Sequence, residues 1–336
     1  MAEAARPPRT ADEVLDWLEQ GKLSPAEAFE HFCTLDRDRR AAGLRPAARE
    51  MTREAADAEE ARKLRLRQAM EELDALIGLE PVKELVREVQ AFVEIQQRRS
   101  KARLATEPLA LHMIFKGNPG TGKTTVARIF GKMFEAMGVL PRGHLVECER
   151  ADLVGEYIGH TAQKTREQIR QALGGILFID EAYSLARGGE KDFGKEAIDT
   201  LVKAMEDKKD QLVLILAGYR REMELFLQTN PGLRSRFPIH IDFPDYTTSQ
   251  LLRIADLMLS RREYRLTDGA RRRLRDILEQ KVRAQDPNLG NARMVRNIIE
   301  RAIRRQAVRL VRRAHVTRED LVLITEADIE EVPGAR

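Results

Sequence analysis

Gly117-Asn118-Pro119-Gly120-Thr121-Gly122-Lys123-Thr124 is the stretch on which the reading of this chain turns. The octapeptide matches G-x-x-x-x-G-K-[ST], the pattern of a phosphate-binding loop in nucleoside triphosphatases. Its glycines let the backbone curl until successive N–H groups converge on an anion. Lys123 offers a cation to the β- and γ-phosphates and the Thr124 hydroxyl offers a ligand to Mg²⁺, with Thr125 next in the expected nucleotide-contacting set. Such a loop needs a buried strand before it and a helix after it. Leu111-His112-Met113-Ile114-Phe115 is a mainly apolar run, and Val126, Ile129, Phe130, Met133, Phe134 and Met137 recur at helical spacing. The phosphates would therefore lie at a helix N-terminus, where backbone N–H groups and the dipole favour negative charge.

Outward from the loop, Leu145–Cys148, Ile176–Ile179, Leu212–Ala217 and Ile239–Phe243 are further short apolar runs, alternating with helical segments. That alternation predicts an α/β fold, a parallel five-stranded sheet flanked by helices. After Pro244 no strand is expected. Residues 249–313 read as helices, the last with Val295, Ile298, Ile299, Ala302 and Ile303 on one face, so a small helical domain follows. Upstream, Val82, Leu85, Val86, Val89 and Val93 mark an amphipathic helix. Before it, a Pro7-Pro8 tail leads to two short helices, one bearing Val14, Leu15, Trp17 and Leu18 and one starting at Ser24-Pro25, and then to a solvated helix or linker over residues 36–70. The expected domains are a charged helical extension over 1–70, the nucleotide domain over 71–245 and the helical lid over 246–336.

The chain of 336 residues is 43% hydrophobic and 33% charged, and its 58 basic against 54 acidic residues leave only +4. So small an excess does not mark a nucleic-acid binder. Cys33 and Cys148 lie far apart without metal-ligand spacing, which leaves a zinc site and a disulfide framework unsupported and points to a reducing cytoplasm. No run approaches the roughly 18 apolar residues of a membrane span. A cytoplasmic protein without membrane partners is expected.

Gly174-Gly175-Ile176-Leu177-Phe178-Ile179-Asp180-Glu181 is a buried-strand run ending in two carboxylates. Asp180 suits the Mg²⁺ shell, and Glu181 suits orientation of the water that attacks the γ-phosphate. With the phosphate loop, this pair resembles the AAA+ ATPases, and further segments extend the likeness over residues 70–315. Leu76-Ile77-Gly78-Leu79 resembles the segment that packs on adenine, which implies Ile77 and Gly78 as nucleotide contacts. Asn230–Pro238 resembles the stretch bearing the arginine finger, which implies that Arg236, with Arg234 the weaker candidate, reaches the γ-phosphate of a neighbouring subunit. Gly290-Asn291-Ala292-Arg293 resembles the sensor-2 motif and implies Arg293 as a contact to the nucleotide of its own subunit. Tyr157-Ile158-Gly159, within Leu153–Thr161, resembles the first pore loop of ring-forming threading machines.

Phe178–Tyr183, Leu216-Ala217-Gly218-Tyr219 and Phe243–Tyr246 are similar to the subgroup that holds stage V sporulation protein K and the red-type Rubisco activases. Asp192–Val202, Arg236–Ile239 and the N-terminal extension incline toward the sporulation branch. The likeness implies a homo-oligomeric ring, a hexamer, that spends ATP with Mg²⁺ on remodelling a protein client. The activase reading is the alternative within the family. A nucleic-acid motor is the alternative outside it, drawn from Arg296, Arg301, Arg304, Arg305, Arg309, Arg312 and Arg313 and disfavoured for want of aromatic stacking residues. Where the family carries a small polar sensor-1 residue, this chain ends its strand in Ala217-Gly218-Tyr219, and no residue is assigned that role.

Overall fold

The computed structural model describes residues 10–106, 110–157, 159–187, 193–284 and 289–330. The Pro7-Pro8 tail, Ile158 of the expected pore loop and Asp192 lie outside the described residues. By packing, the chain divides into two units, Met1–Leu64 and Arg65–Arg336.

In the first unit, helix α1 (Ala11–Glu19) starts at Thr10, whose side chain accepts the Glu13 amide, and buries Val14. The two short helices expected here are instead one short helix and one long one. Helix α2 runs unbroken from Pro25 through residue 70 to Asp74. Residues 36–70 are rich in Arg, Glu and Ala, strong helix formers, and pairs such as Glu59–Lys63 add i,i+4 support, so the helix continues although Gly43 and Pro46 lie within it. In the second unit its last turns bury Ala69 and Leu73.

Helix α3 (Glu80–Lys101) buries Val82, Val86, Val89 and Val93 as its spacing requires. Strand β1 (Met113–Gly117) leads through the phosphate loop into α4 (Lys123–Ala136). There follow β2 (Leu145–Cys148), the short α5 (Arg150–Leu153), α6 (His160–Ala172) and β3 (Gly175–Ile179). Next come α7 (Gly194–Asp207), β4 (Leu212–Gly218), α8 (Arg220–Thr229), the single turn α9 (Pro231–Arg234) and β5 (Ile239–Phe243). All five strands are parallel, in the order β2-β3-β4-β1-β5. The strand expected over 111–115 is displaced to 113–117, because His112 serves β4 with its side chain: Leu214 N donates to His112 Nδ1 at 3.0 Å.

The sheet's two faces carry two apolar clusters. One holds Phe115, Phe130, Phe134, Phe178 and Phe243 behind the phosphate loop, with the Phe115 and Phe243 ring centres 5.1 Å apart. Each such ring contributes about 1.5–3 kcal/mol on burial, so the loop stands on the best-packed part of the molecule. The same cluster continues through Leu79 and Tyr246 into the lid, built from α10 (Thr248–Ser260), α11 (Asp268–Arg283) and α12 (Asn291–Val311). One feature of the lid was not expected from sequence. Two-residue strands β6 (Arg265–Leu266) and β7 (Leu323–Ile324), the latter following α13 (Arg318–Val322), pair in parallel.

Burial lowers the His112 pKa from 6.5 to about 4, opposed by a hydrogen bond to the Met205 carbonyl. Because the folded pKa lies below the unfolded one, the unfolded chain takes up the proton first. The stability present above pH 6.5 should fall as pH drops toward 4 and level off below it, by about 3 kcal/mol for this group. Urea unfolding at stepped pH should show that slope in the wild type and a shallower one in His112→Gln, which can still accept the Leu214 amide.

Candidate functional site

Where β1, β3 and β4 end, a cleft of about 340 Å³ opens, lined by Gly117, Pro119, Gly120, Gly122, Lys123, Thr124 and Thr125 from the loop and helix start. Asp180 and Glu181 enter it from the end of β3, Gly218 and Tyr219 from the end of β4, and Ala292, Arg293 and Arg296 from the lid. Seven of the loop and helix-start positions expected at the phosphates, together with Asp180, Glu181 and Arg293, are thus brought into one cavity. Two loop residues point elsewhere. Asn118 donates to both carboxylate oxygens of Asp245, at 3.0 and 2.9 Å, and Thr121 is fully buried, donating to the Asn118 carbonyl at 2.8 Å.

Lys123 Nζ donates to the Gly117 and Asn118 carbonyls, each at 2.9 Å. Burial lowers its pKa; Asp180 opposes the shift and Arg293 adds to it. Arg293 and Lys123 line the same cleft, which brings the lid's charge near the loop's. Glu181 has φ +47, a left-handed conformation uncommon for a residue with a side chain, while its N–H donates to Asp180 Oδ1 at 3.0 Å. Backbone strain of this kind gathers at sites where a side chain must be aimed, and the aim here is into the cleft. Tyr219 sits beside it, its pKa raised first by burial and then by Glu181. Thr124 and Asp180 give a hydroxyl and a carboxylate in one cavity, hard oxygen donors of the kind Mg²⁺ accepts together with phosphates and water. Among the described residues no cluster of three or more His, Cys, Asp or Glu side chains could hold a metal by itself.

Other expected residues fall outside the cleft lining. Ile77 and Gly78 occupy the turn before α3, where Leu79 comes next and lies close to Gly122. Arg236 is held by Glu206 at the end of α7, through Nη2 at 2.5 Å and Nε at 2.9 Å, and donates through Nη1 to the Gly232 carbonyl at 2.8 Å. Buried Leu233 and Phe237 anchor its loop on either side, and Arg234 is exposed. Tyr157 is 66% exposed, in a loop pinned where Thr161 Oγ1 accepts the Gly155 amide at 3.0 Å.

Sequence reasoning missed Arg128 and Arg296 in the cleft, and Asp245, Tyr246 and Asn291 behind it. Arg296 follows Arg293 by three residues on α12, so helical spacing alone would have placed both on one face. Arg128 is paired with Glu147.

The profile of the ATPase family associated with various cellular activities (AAA) matches residues 113–245, and that of the AAA lid domain matches residues 247–335. Stage V sporulation protein K of Bacillus subtilis (strain 168) is 56% identical over 274 residues, 80% of this chain and 85% of that protein. This chain belongs to the AAA family of ATPases. Protein CbbX of Cereibacter sphaeroides is 50% identical over 246 residues, 73% of this chain and 79% of its own. Among solved structures, the FIGL-1 AAA domain has a TM-score of 0.53 at 17% identity, over 78% of this chain and 84% of that one, and shares the fold. This AAA ATPase therefore binds and hydrolyses ATP, and its cleft is where phosphate-seeking groups converge. Among the described residues no helix is long and apolar enough to cross a membrane.

Lid and loop meet backbone to backbone at Gly120, which has φ +71. A Cβ there would lie 2.5 Å from the Gly290 carbonyl oxygen and 2.7 Å from Arg293 N. Gly120→Ala should push the lid off the loop and weaken nucleotide binding by roughly tenfold or more, or about 1.4 kcal/mol. Titration with a fluorescent ADP analogue reads this directly, and a wild-type affinity would show the contact to be dispensable.

Proposed function

We propose that this AAA ATPase assembles into a homo-oligomeric ring, a hexamer, and turns ATP hydrolysis into remodelling of a protein client gripped by Tyr157, Ile158 and Gly159. Within each site Lys123, Thr125 and the loop amides bind the phosphates, and Ile77 and Gly78 border the adenine. Thr124 and Asp180 would hold Mg²⁺, which neutralises phosphate charge when bound. Glu181 orients the attacking water and draws its proton, while Arg293 reads the nucleotide from the lid. Arg236 completes the site of the neighbouring subunit, where a guanidinium on the transferring phosphate is worth roughly 10³–10⁵ in rate.

The observation that carries the ring is the position of Arg236. It stands outside the cleft of its own chain, paired with Glu206 on a loop anchored by two buried side chains, which supports a role at another subunit's site. Support for the client comes from Tyr157, a large amphipathic ring left exposed at a pinned loop, able to grip a chain by shape without reading its sequence. The place of action we favour is spore formation in the cytoplasm, on the likeness to stage V sporulation protein K. The activase alternative rests on the lower 50% identity to CbbX and would require a response to a phosphorylated sugar.

The arginine-rich helix gives the nucleic-acid reading little support. Arg301 and Arg305 pair with Glu330, Arg309 with Asp328 at 2.8 Å and Arg313 with Asp320 at 2.7 Å, while Arg296 is in the nucleotide cleft. Charges matched in this way release few counterions on meeting a phosphate backbone.

Mixing tests the shared site. Arg236→Ala protein, inactive alone, should depress wild-type turnover beyond simple dilution, and turnover per wild-type subunit should rise with protein concentration. A rate per wild-type subunit that stays constant across mixing ratios would remove the ring reading.

Tyr157 separates chemistry from work. Tyr157→Ala should keep ATP turnover within a few-fold, because no transition-state contact is lost, yet abolish unfolding of a client captured on Glu181→Gln rings. Unimpaired unfolding by that variant would leave Tyr157 as an ordinary surface residue.

A further inference from the structure

We propose that Asn291 is a positioning residue for ATP hydrolysis, a latch that works through Asp245 to seat Arg293 against the phosphate loop. The proposal rests on the reading of Arg293 as a nucleotide contact and goes beyond it in naming what aims that side chain.

Asn291 opens α12 and is fully buried, with φ +44. A buried amide is costly unless its donors and acceptor are met, and here they are met from three separate stretches of chain. Its Nδ2 donates to Asp245 Oδ1 at 2.7 Å, to the Leu289 carbonyl at 2.9 Å and, at the longer 3.4 Å, to the Pro119 carbonyl of the phosphate loop. Its Oδ1 accepts the Tyr246 amide at 3.0 Å. Asp245 in turn receives both hydrogen bonds from Asn118 of the loop. Alongside, Tyr246 OH donates to the Thr121 carbonyl at 3.2 Å and Ala292 N donates to the Gly120 carbonyl at 3.2 Å. Loop residues 118–121 are thus each tied to the hinge at 245–246 or to the first turn of the lid helix.

Arg293 lies two residues beyond Asn291, so the direction in which its guanidinium enters the cleft is fixed by this first turn. A left-handed residue with a side chain is strained, least so for Asn, and such strain persists only where the surroundings hold it. A merely cohesive contact between lid and core has no need of it, since the apolar cluster running through Leu79 and Tyr246 already joins them. The cost becomes intelligible if the turn must be held where Arg293 meets the phosphates, because displacing a positioned group by about an ångström can cost on the order of a hundredfold in rate.

The test is a double-mutant cycle on ATP turnover by the full chain. Asn291→Gly suits the left-handed backbone and removes only the amide's hydrogen bonds. It and Arg293→Ala should each lower kcat/KM by about tenfold or more, and the double variant should fall no more than about threefold below the worse single one. Losses that multiply, or a near wild-type Asn291→Gly, would overturn the latch while leaving the reading of Arg293 intact. A silent Arg293→Ala would instead overturn that reading, and the latch with it. If Asn291→Gly lowers the thermal midpoint too far to assay, Asp245→Ala replaces it in the same cycle. That change leaves the strained backbone untouched and removes the acceptor shared by Asn118 and Asn291, with the same outcomes expected and the same outcomes fatal.

Discussion

The backbone of the phosphate loop and the first turn of α12 pack against each other with no side chain between them at Gly120. The rest of the molecule is arranged to hold that contact. It places the lid's Ala292, Arg293 and Arg296 over a cavity whose floor is the loop itself. Leu79 and Tyr246 extend the apolar cluster across the junction, so hydrophobic burial and the nucleotide site share one interface. An ATPase built this way has phosphate binding and lid position coupled by contact.

Inside the cleft the charges are placed to be incomplete without a nucleotide. Lys123 is buried enough for its pKa to fall, and Arg293 pushes in the same direction, while Asp180 and Glu181 hold it up. A polyanion with its cation answers that imbalance, which is why the same groups that disfavour one another can together favour ATP. Glu181 is aimed by its backbone conformation, and its carboxylate also takes a side-chain hydrogen bond with Tyr183. Asp180 meanwhile accepts the Glu181 amide, fixing the two carboxylates relative to each other.

Outside the cleft, Arg236 and Tyr157 follow a common plan. Each sits on a loop whose flanks are buried, Leu233 and Phe237 for the half-buried arginine, Thr161 and Leu153 for the exposed tyrosine. The two loops are joined through packed helices, because α6 begins just past Tyr157 and lies against α7, whose Glu206 holds Arg236. Helices of this length move as rigid bodies, so the two loops have a short mechanical route between them.

The sequence by itself determined the phosphate loop, the Asp180-Glu181 pair, the five parallel strands and the helical lid, because each is dictated by neighbours within a few residues. A loop must curl, a strand buried on both faces must be apolar, and a helix must repeat its apolar face. Arg296 was within reach of the same reasoning, through its spacing from Arg293. The length of α2 was not, since Gly43 and Pro46 are local stop signals that the surrounding helix formers override. Tertiary structure alone decided the latch. Asn118 and Asp245 are separated by 127 positions and Asp245 and Asn291 by 46, and each reads in isolation as an ordinary turn residue. Their hydrogen bonds exist because the sheet's strand order and the lid's packing bring three chain segments to one point, and no local pattern records where a distant partner will be.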